Sequence, residues 1–339
     1  QHQVGTGASG GAFVSRWVIR TTPGADFLRV VNGQDLMNSV VTSTNGSGGL
    51  YTFNRFCSAD LASQQAFFNA ASGLGTTERI FLTGEESGTT GRMVAIGAVE
   101  RIGYQLPAWD VVQGAWETGV ARPYASDVTV VMGNSDGGAN RVFMYVGTKQ
   151  ATGGPVAKAG LLGGTCYGVQ VVLNGTNVTA ESRDFGLATS GAAVYSGRFT
   201  FATGGTAAGT TFLRPEDGAW DPSNPRDYYF VTTDRLDTVM SGSTQVGRSR
   251  LWRMRFDDVN NPLAGGAIEA LLDGTEGQNM MDNICVFNDV AGGTRVICQE
   301  DPGNAAHNAK MWLYTVATDT MVKITESDRK STRLNSSHA

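Results

Sequence analysis

A pattern of four steps that returns along the chain constrains its fold more than any single residue does. Its clearest copy opens on the acidic turn Phe212-Leu-Arg-Pro-Glu-Asp-Gly-Ala-Trp-Asp-Pro222. It runs into Asp227-Tyr-Tyr-Phe-Val-Thr-Thr-Asp234, a strand pattern ending in a carboxylate. A second strand pattern from Ser249 to Asp257 carries Trp252, and Gly266 to Gly274 closes the unit. Upstream, the turn with Glu117, the strand Asp127 to Asp136, the aromatic strand Arg141 to Gly147 and the segment Leu161 to Val172 repeat that order. Earlier still come Arg79 to Glu86, Gly91 to Gly97 and Tyr104 to Trp109; the last unit runs from Asn279 to Thr325. There are about four such units, each the length of a four-stranded propeller blade. The expected fold class is therefore all-β, a β-propeller that is incomplete, with about four blades in this fragment.

Composition agrees with that reading. Glycine supplies 45 of 339 residues, much of it between short runs of Val, Ile, Phe, Tyr and Thr, which is the punctuation of strands and turns. The net charge is −5 with no basic block, so a nucleic-acid partner is not expected. No apolar run is long enough to span a bilayer. Gln1 is not an initiator methionine, so the start of the protein is expected to be missing, and the absence of a signal peptide says nothing of compartment. Residues 12–327 are expected to form the propeller fragment. Residues 328–339 resemble a sequencing-adapter oligonucleotide read in frame and are expected to be an artefact, not native chain, the alternative being a native polar tail.

The acids recur at equivalent places. Glu117, Glu216 and Asp282 stand before or at the start of the first strand of their units, whereas Glu85 and Glu86, Asp136, Asp234, and Glu300 and Asp301 end the next strand. In a propeller, equivalent positions of successive blades lie on rings about the axis, and acids on one ring repel one another unless a cation neutralises them. The preference of Asp and Glu for turns explains any one of these positions but not their alignment.

Histidine narrows the chemistry by its scarcity. His2 lies in the polar N-terminal segment, His338 in the adapter-like tail, and His307 alone is left; no Gly-x-Ser-x-Gly elbow accompanies it. The four cysteines show no C-x-x-C spacing, which leaves a zinc ribbon unsupported. Cys285 and Cys298 lie on successive strands and are expected to face one another, as a thiol pair or a disulfide. Cys57 reads either as a buried free thiol or as a thiolate, a soft ligand for iron or zinc. Oxygen chemistry remains: carboxylate rings suit calcium, and Arg214 offers a planar fork that matches a pair of phosphate oxygens, or else a salt bridge to Glu216 or a neighbour.

These residues resemble the PhoX-type alkaline phosphatases and their phytase-like relatives, secreted bacterial β-propellers. The resemblance runs from about Phe13 to Ile324. Arg214-Pro215-Glu216 resembles the family's Arg-Pro-Glu, which implies an active-site arginine and a metal-binding glutamate. Cys57-Ser-Ala-Asp-Leu61 and Gly84-Glu-Glu86 are similar to Cys-x-Gly-Gly and Cys-Glu-Glu, with Ala59, Asp60 and Gly84 departing from the pattern. Trp116-Glu117 sits where the family has His-Glu, Met281-Asp282 resembles Pro-Asp, and Glu300-Asp301 resembles Thr-Asp. The family's upstream Asn-His-Glu segment has no counterpart. The resemblance implies a phosphomonoesterase that uses calcium, joined by iron, in a periplasmic or extracellular setting. It also implies Arg214 as the catalytic residue and Cys57, Glu85, Glu86, Glu117, Glu216, Asp282 and Asp301 as metal ligands. The implied partner is a small phosphomonoester, and a monomer is expected. Two other readings stand beside it: a calcium-bound propeller that binds without catalysis, and a propeller lactonase with one divalent cation. Arg214 and Cys57 near the acids discriminate, since only the phosphatase needs both.

Overall fold

The computed structural model describes residues 2–4, 11–41, 52–112, 114–234, 248–302 and 308–327. Nearly all regular structure in it is antiparallel β, arranged as four four-stranded sheets that follow one another in the chain. Sheet I comprises Phe56–Leu61, Ile80–Glu85, Met93–Gly97 and Ile102–Gln105, with Ser39–Val41 added in parallel on its outer edge. Sheet II comprises Trp116–Ala121, Val128–Ser135, Arg141–Thr148 and Thr165–Leu173. Sheet III comprises Pro215–Trp220, Asp227–Thr232, Arg250–Phe256 and Gly266–Leu272, and sheet IV Met281–Asn288, Thr294–Glu300, Lys310–Thr315 and Thr320–Glu326. The first strands of successive sheets lie against one another, so the sheets radiate as propeller blades from a shared centre.

Strand alternation explains how the middle sheets serve two neighbours at once. Side chains on a strand point to opposite faces in turn. In sheet II, Val131, Phe143 and Tyr145 enter a core shared with Ile80, Leu82 and Met93 of sheet I, while Val130, Met132, Val142 and Met144 enter one shared with sheet III. Sheet III repeats the device: Tyr228, Phe230, Trp252 and Met254 face sheet II, whereas Tyr229, Val231 and Leu251 face Met281, Val296 and Tyr314 of sheet IV. Both faces of these strands are apolar, which is why their sequence reads as continuous hydrophobic runs.

The structure departs from the expected elements in three places. The connection from Asn174 to Gly209 contains a strand, Ser196–Ala202, which pairs with the outer strands of both sheet II and sheet III and fuses them along their rims. Its Phe199 packs on Phe256 and Phe201, and that aromatic cluster holds it there. The expected strand from Tyr104 to Trp109 stops at Gln105, because Pro107 lacks an amide proton for a ladder and instead opens a short helix, Pro107–Asp110. Cys285 and Cys298 do not face each other. Cys298 pairs with Ile284, points into the core between sheets III and IV and is buried, while Cys285 is exposed, and both are free thiols. One position of phase separates the two readings of that hairpin.

His307 and residues 328–339 lie outside the described residues. No described helix is long and apolar enough to cross a membrane.

A fully buried ion pair fastens the connection around Glu181 to sheet III. Arg250 Nη1 donates to Glu181 Oε1 at 2.6 Å, and the same guanidinium donates to the carbonyl oxygens of Ser182, Arg183 and Asp273. Glu181 Oε2 accepts from the backbone N–H of Leu213, one residue before Arg214. Removing one partner leaves the other charge buried, so Arg250→Ala should lower unfolding free energy by about 3–5 kcal/mol. Urea titration monitored by tryptophan fluorescence checks this; a loss of under about 1 kcal/mol would show that Glu181 is neutral in the folded protein.

Candidate metal and oxyanion site

Each inner strand carries a β-bulge at the same level. The register slips by one residue between Phe56 and Ala59, between Trp116 and Thr118, between Pro215 and Gly218, and between Met281 and Asn283. The residues in those bulges are Cys57 and Ser58, Glu117, Glu216 and Asp217, and Asp282. A bulge leaves its extra residue outside the ladder and re-aims its side chain. Before each bulge stands a buried residue, Phe56, Trp116, Pro215 or Met281, which anchors the strand in the core. Four segments far apart in sequence therefore turn a chemically active side chain to one place.

The geometry follows from that convergence. Ligand atoms of Glu117, Glu216 and Asp282 all lie within 4.8 Å of one another, and those of Cys57, Glu86 and Glu117 do likewise, with Glu117 common to both groups. Cys57 Sγ is 2.9 Å from Glu117 Oε1, which also accepts from Ser58 Oγ at 3.1 Å. Asn283 Nδ2 donates to Ser58 Oγ at 2.8 Å and ties the inner strands of sheets I and IV together. Glu117 and Glu216 are each only 2% exposed. Arg55 pairs with Glu86 at the rim, where the arginine side chain is more than half exposed.

Burial and like charge hold these acids far from their ordinary behaviour. Desolvation pushes Glu117 well above the usual carboxylate range, and the charge of Asp282 adds to it. Glu216 is raised well above that range by burial, then by Asp136, Glu117 and Asp282, against the opposing charge of Arg214. Asp282 is pushed up to about 7 by burial, and then by Asp301 and Asp217. Glu86 is raised by burial against the pull of Arg55. Beneath them Asp217 is raised to about 6 by burial, although the N–H groups of Ile284 and Gly218 stabilise its charge. Acids packed in this way hold protons or a cation. The donor set fits metal ions: three carboxylates make a hard oxygen site, and the thiolate beside Glu86 and Glu117 makes a softer one.

Arg214 stands at the edge of this cluster with a left-handed backbone, φ +60°. Its Nε and Nη2 donate to the two carboxylate oxygens of Asp136 at 2.9 and 2.6 Å, and Nη2 also lies 3.0 Å from Glu216 Oε1. Of the two readings of Arg214, the salt bridge is the one seen: its fork is engaged by Asp136, with Glu216 beside it. Burial works against the guanidinium charge, but Asp136, Glu216 and Asp282 outweigh it and hold the group protonated.

Three acids at the ends of the second strands, Glu85, Glu300 and Asp234, do different work from those in the bulges. Glu85 is buried and accepts from Asn54 N–H at 2.8 Å and from Arg92, and it is not among the grouped ligand atoms. Glu300 accepts from the N–H groups of Asn279 and Lys310 and from Trp312 Nε1. Asp234 is paired with Arg183 through both oxygens. These three fasten loops to the sheet. Asp301 is exposed, and its charge reaches Asp282. The cysteine that the resemblance leads one to expect at Gly84 has no room, since a Cβ there would come within 2.4 Å of Trp116 Cβ. Asp136 and Asn134 were not singled out in sequence as site residues, although Asp136 is one of the recurring strand-end acids; it follows Ser135, the partner of Trp116, as Glu86 follows Glu85, the partner of Phe56.

No family model matches the chain, and no curated protein matches it. Among solved structures it is similar to PhoX of Pseudomonas fluorescens in complex with vanadate, a transition-state analogue. The two are 14% identical with a TM-score of 0.50, over 81% of this chain and 66% of that one. It is also matched, at 12% identity and a TM-score of 0.32, to a candidate 6-phosphogluconolactonase from Bacteroides uniformis, over 85% of this chain and 81% of that one. The chain spans 66% of the length of the PhoX chain, just under two thirds. The likeness to PhoX supports the propeller fold.

Proposed function

We propose that the chain is a metal-dependent phosphomonoesterase of PhoX type, acting on small phosphomonoesters outside the cytoplasm. One observation carries this reading: Cys57, Glu86, Glu117, Glu216, Asp282 and Arg214 converge, although 225 residues separate the first from the fifth of them. Glu117, Glu216 and Asp282 would hold calcium, and Cys57, Glu86 and Glu117 an ion that accepts a thiolate, iron being the first choice. Asp301 is kept as an outer ligand on that reading, and Glu85 as a support for Glu86. Bound cations would supply concentrated positive charge for the phosphoryl oxygens. Arg214 adds a fixed cation beside them, and its pairing with Asp136 limits its motion. Glu117 and Glu216 are buried, so each charge interaction at the centre is stronger than it would be in water.

The two competing readings use neither Arg214 nor a thiolate, and both groups are at the acids. The test is to purify the protein, measure bound metal by mass spectrometry, remove it with chelator and follow p-nitrophenyl phosphate hydrolysis as calcium and iron are restored. Hydrolysis that disappears and returns with the cations supports the reading. Bound calcium without hydrolysis supports a binding propeller, and a protein that holds no metal at any pH between about 6 and 9 rules the reading out.

A further inference from the structure

We propose that Asp136 is a positioning residue of the oxyanion site, and that it works through Arg214. The inference rests on the role given to Arg214 above and deepens it. Its starting point is the alternation of the strand Val128–Ser135. Val130 and Met132 point into the core between sheets II and III, so the same phase carries Asn134 and Asp136 to the edge of that interface, next to residues 214–216. Asn134 Nδ2 donates to the backbone carbonyl of Glu216, and Tyr228 Oη donates to Asn134 Oδ1 at 3.1 Å; Asn134 and Tyr228 are fully buried. Two residues further on, Asp136 takes Nε and Nη2 of Arg214. One strand end of sheet II thus holds both the backbone of the Arg-Pro-Glu segment and the side chain of its arginine.

The consequence for recognition is specific. An arginine that meets an oxyanion through its fork presents two parallel N–H bonds. Here one fork is spent on Asp136, and Nη2 is shared with Glu216, so among the described residues Nη1 is the nitrogen left unclaimed. A phosphoryl or vanadate oxygen would be met by that single corner of a guanidinium fixed at two others. The left-handed backbone at Arg214 and the hydrogen bond from Leu213 N–H to the buried Glu181 fix the other end of the side chain. A long side chain pinned at both ends loses little further entropy on binding. Without Asp136 the same charge stays in place but its orientation does not.

A double-mutant cycle between Asp136→Asn and Arg214→Ala tests this, read in two ways on calcium-loaded protein: p-nitrophenyl phosphate kinetics and orthovanadate binding by calorimetry. Asp136→Asn alone should lower kcat about 100-fold with little change in KM, and weaken orthovanadate by at least about 10-fold. In the Arg214→Ala background the same substitution should change either quantity by less than about 3-fold. An equal loss in both backgrounds overturns the inference, because Asp136 would then act through something other than Arg214. If Asp136→Asn does not fold, Asp136→Glu replaces it; it keeps the charge but moves the carboxylate by one methylene, and the same coupling is expected. If the protein binds orthovanadate with the predicted coupling but hydrolyses nothing, the positioning role stands and the phosphatase reading falls. If Arg214→Ala matches the parent in both readouts, or the parent binds no orthovanadate, the positioning role falls.

Discussion

Glu216→Ala should lose bound metal and hydrolysis together. Glu216 belongs to the carboxylate group with Glu117 and Asp282, and its oxygen also touches Arg214, so its removal takes away a ligand, a charge and an arginine contact at once. Turnover of a phosphomonoester should fall by about 10³-fold or more, and bound calcium should drop by about one ion per chain. Arg214→Lys should separate the two effects. A lysine keeps the positive charge beside Glu216 but cannot make the paired contact to both oxygens of Asp136, so metal content is retained while turnover falls about 10²–10³-fold. Elemental analysis and steady-state kinetics on the same preparations decide the matter. Full metal and full activity in Glu216→Ala would end the proposed mechanism.

The metal-free protein should lose stability as the pH rises, contrary to the habit of most acidic proteins. Asp282 is pushed up to about 7, and Glu117 and Glu216 are raised well above the usual carboxylate range, in each case by burial first. A carboxyl whose folded pKa lies above its unfolded value contributes stability that is fully present below about pH 4 and is lost as the pH rises through the folded value. For Asp282 the difference is about 3 pH units, on the order of 4 kcal/mol. In chelator, the melting temperature should therefore fall between about pH 5 and about pH 8 at constant ionic strength. Saturating calcium should flatten that slope or reverse it, because the cation takes the place of the protons. Scanning calorimetry in chelator and in calcium across that range is the check. A metal-free melting temperature that holds level or climbs through the window would mean that the cluster is open to water.

Much of this arrangement was legible in the sequence, for a physical reason. Repetition made the acids comparable from unit to unit, and radial symmetry then brought Glu117, Glu216 and Asp282 together, as their equivalent places imply. Details that depend on phase were not legible. Glu85 ends its strand and Glu86 follows it, the two side chains meeting different environments, and only the register of Phe56 against Glu85 shows that Glu85 turns to Asn54 and Arg92. The same uncertainty of one position placed Cys285 opposite Cys298. Asp136 is one of several acids at the ends of the second strands, yet it is the one of them that pairs with Arg214, and an acid at a strand end does not by itself distinguish it. What does is the spacing of Asn134 and Asp136, two residues apart and in phase with Val130 and Met132, a signal present in the sequence once the blade faces are known. The strand Ser196–Ala202 was hidden by the Gly and Ala around it, whose low β-propensity is overridden by Phe199 and Phe201 packing on Phe256.

The four bulges have a consequence for how such a centre can be gained or lost. Each is one surplus residue on an inner strand, so the site is written into the chain partly as length and not only as identity. Substituting Glu216 or Asp282 removes a donor and leaves its neighbours aimed as before. Deleting one residue from any bulge closes the ladder, and the rest of that inner strand must shift its pairing or exchange its faces. Point substitutions can therefore tune the centre one arm at a time, while a single-codon deletion would retire an arm altogether and leave a propeller with a more regular ladder.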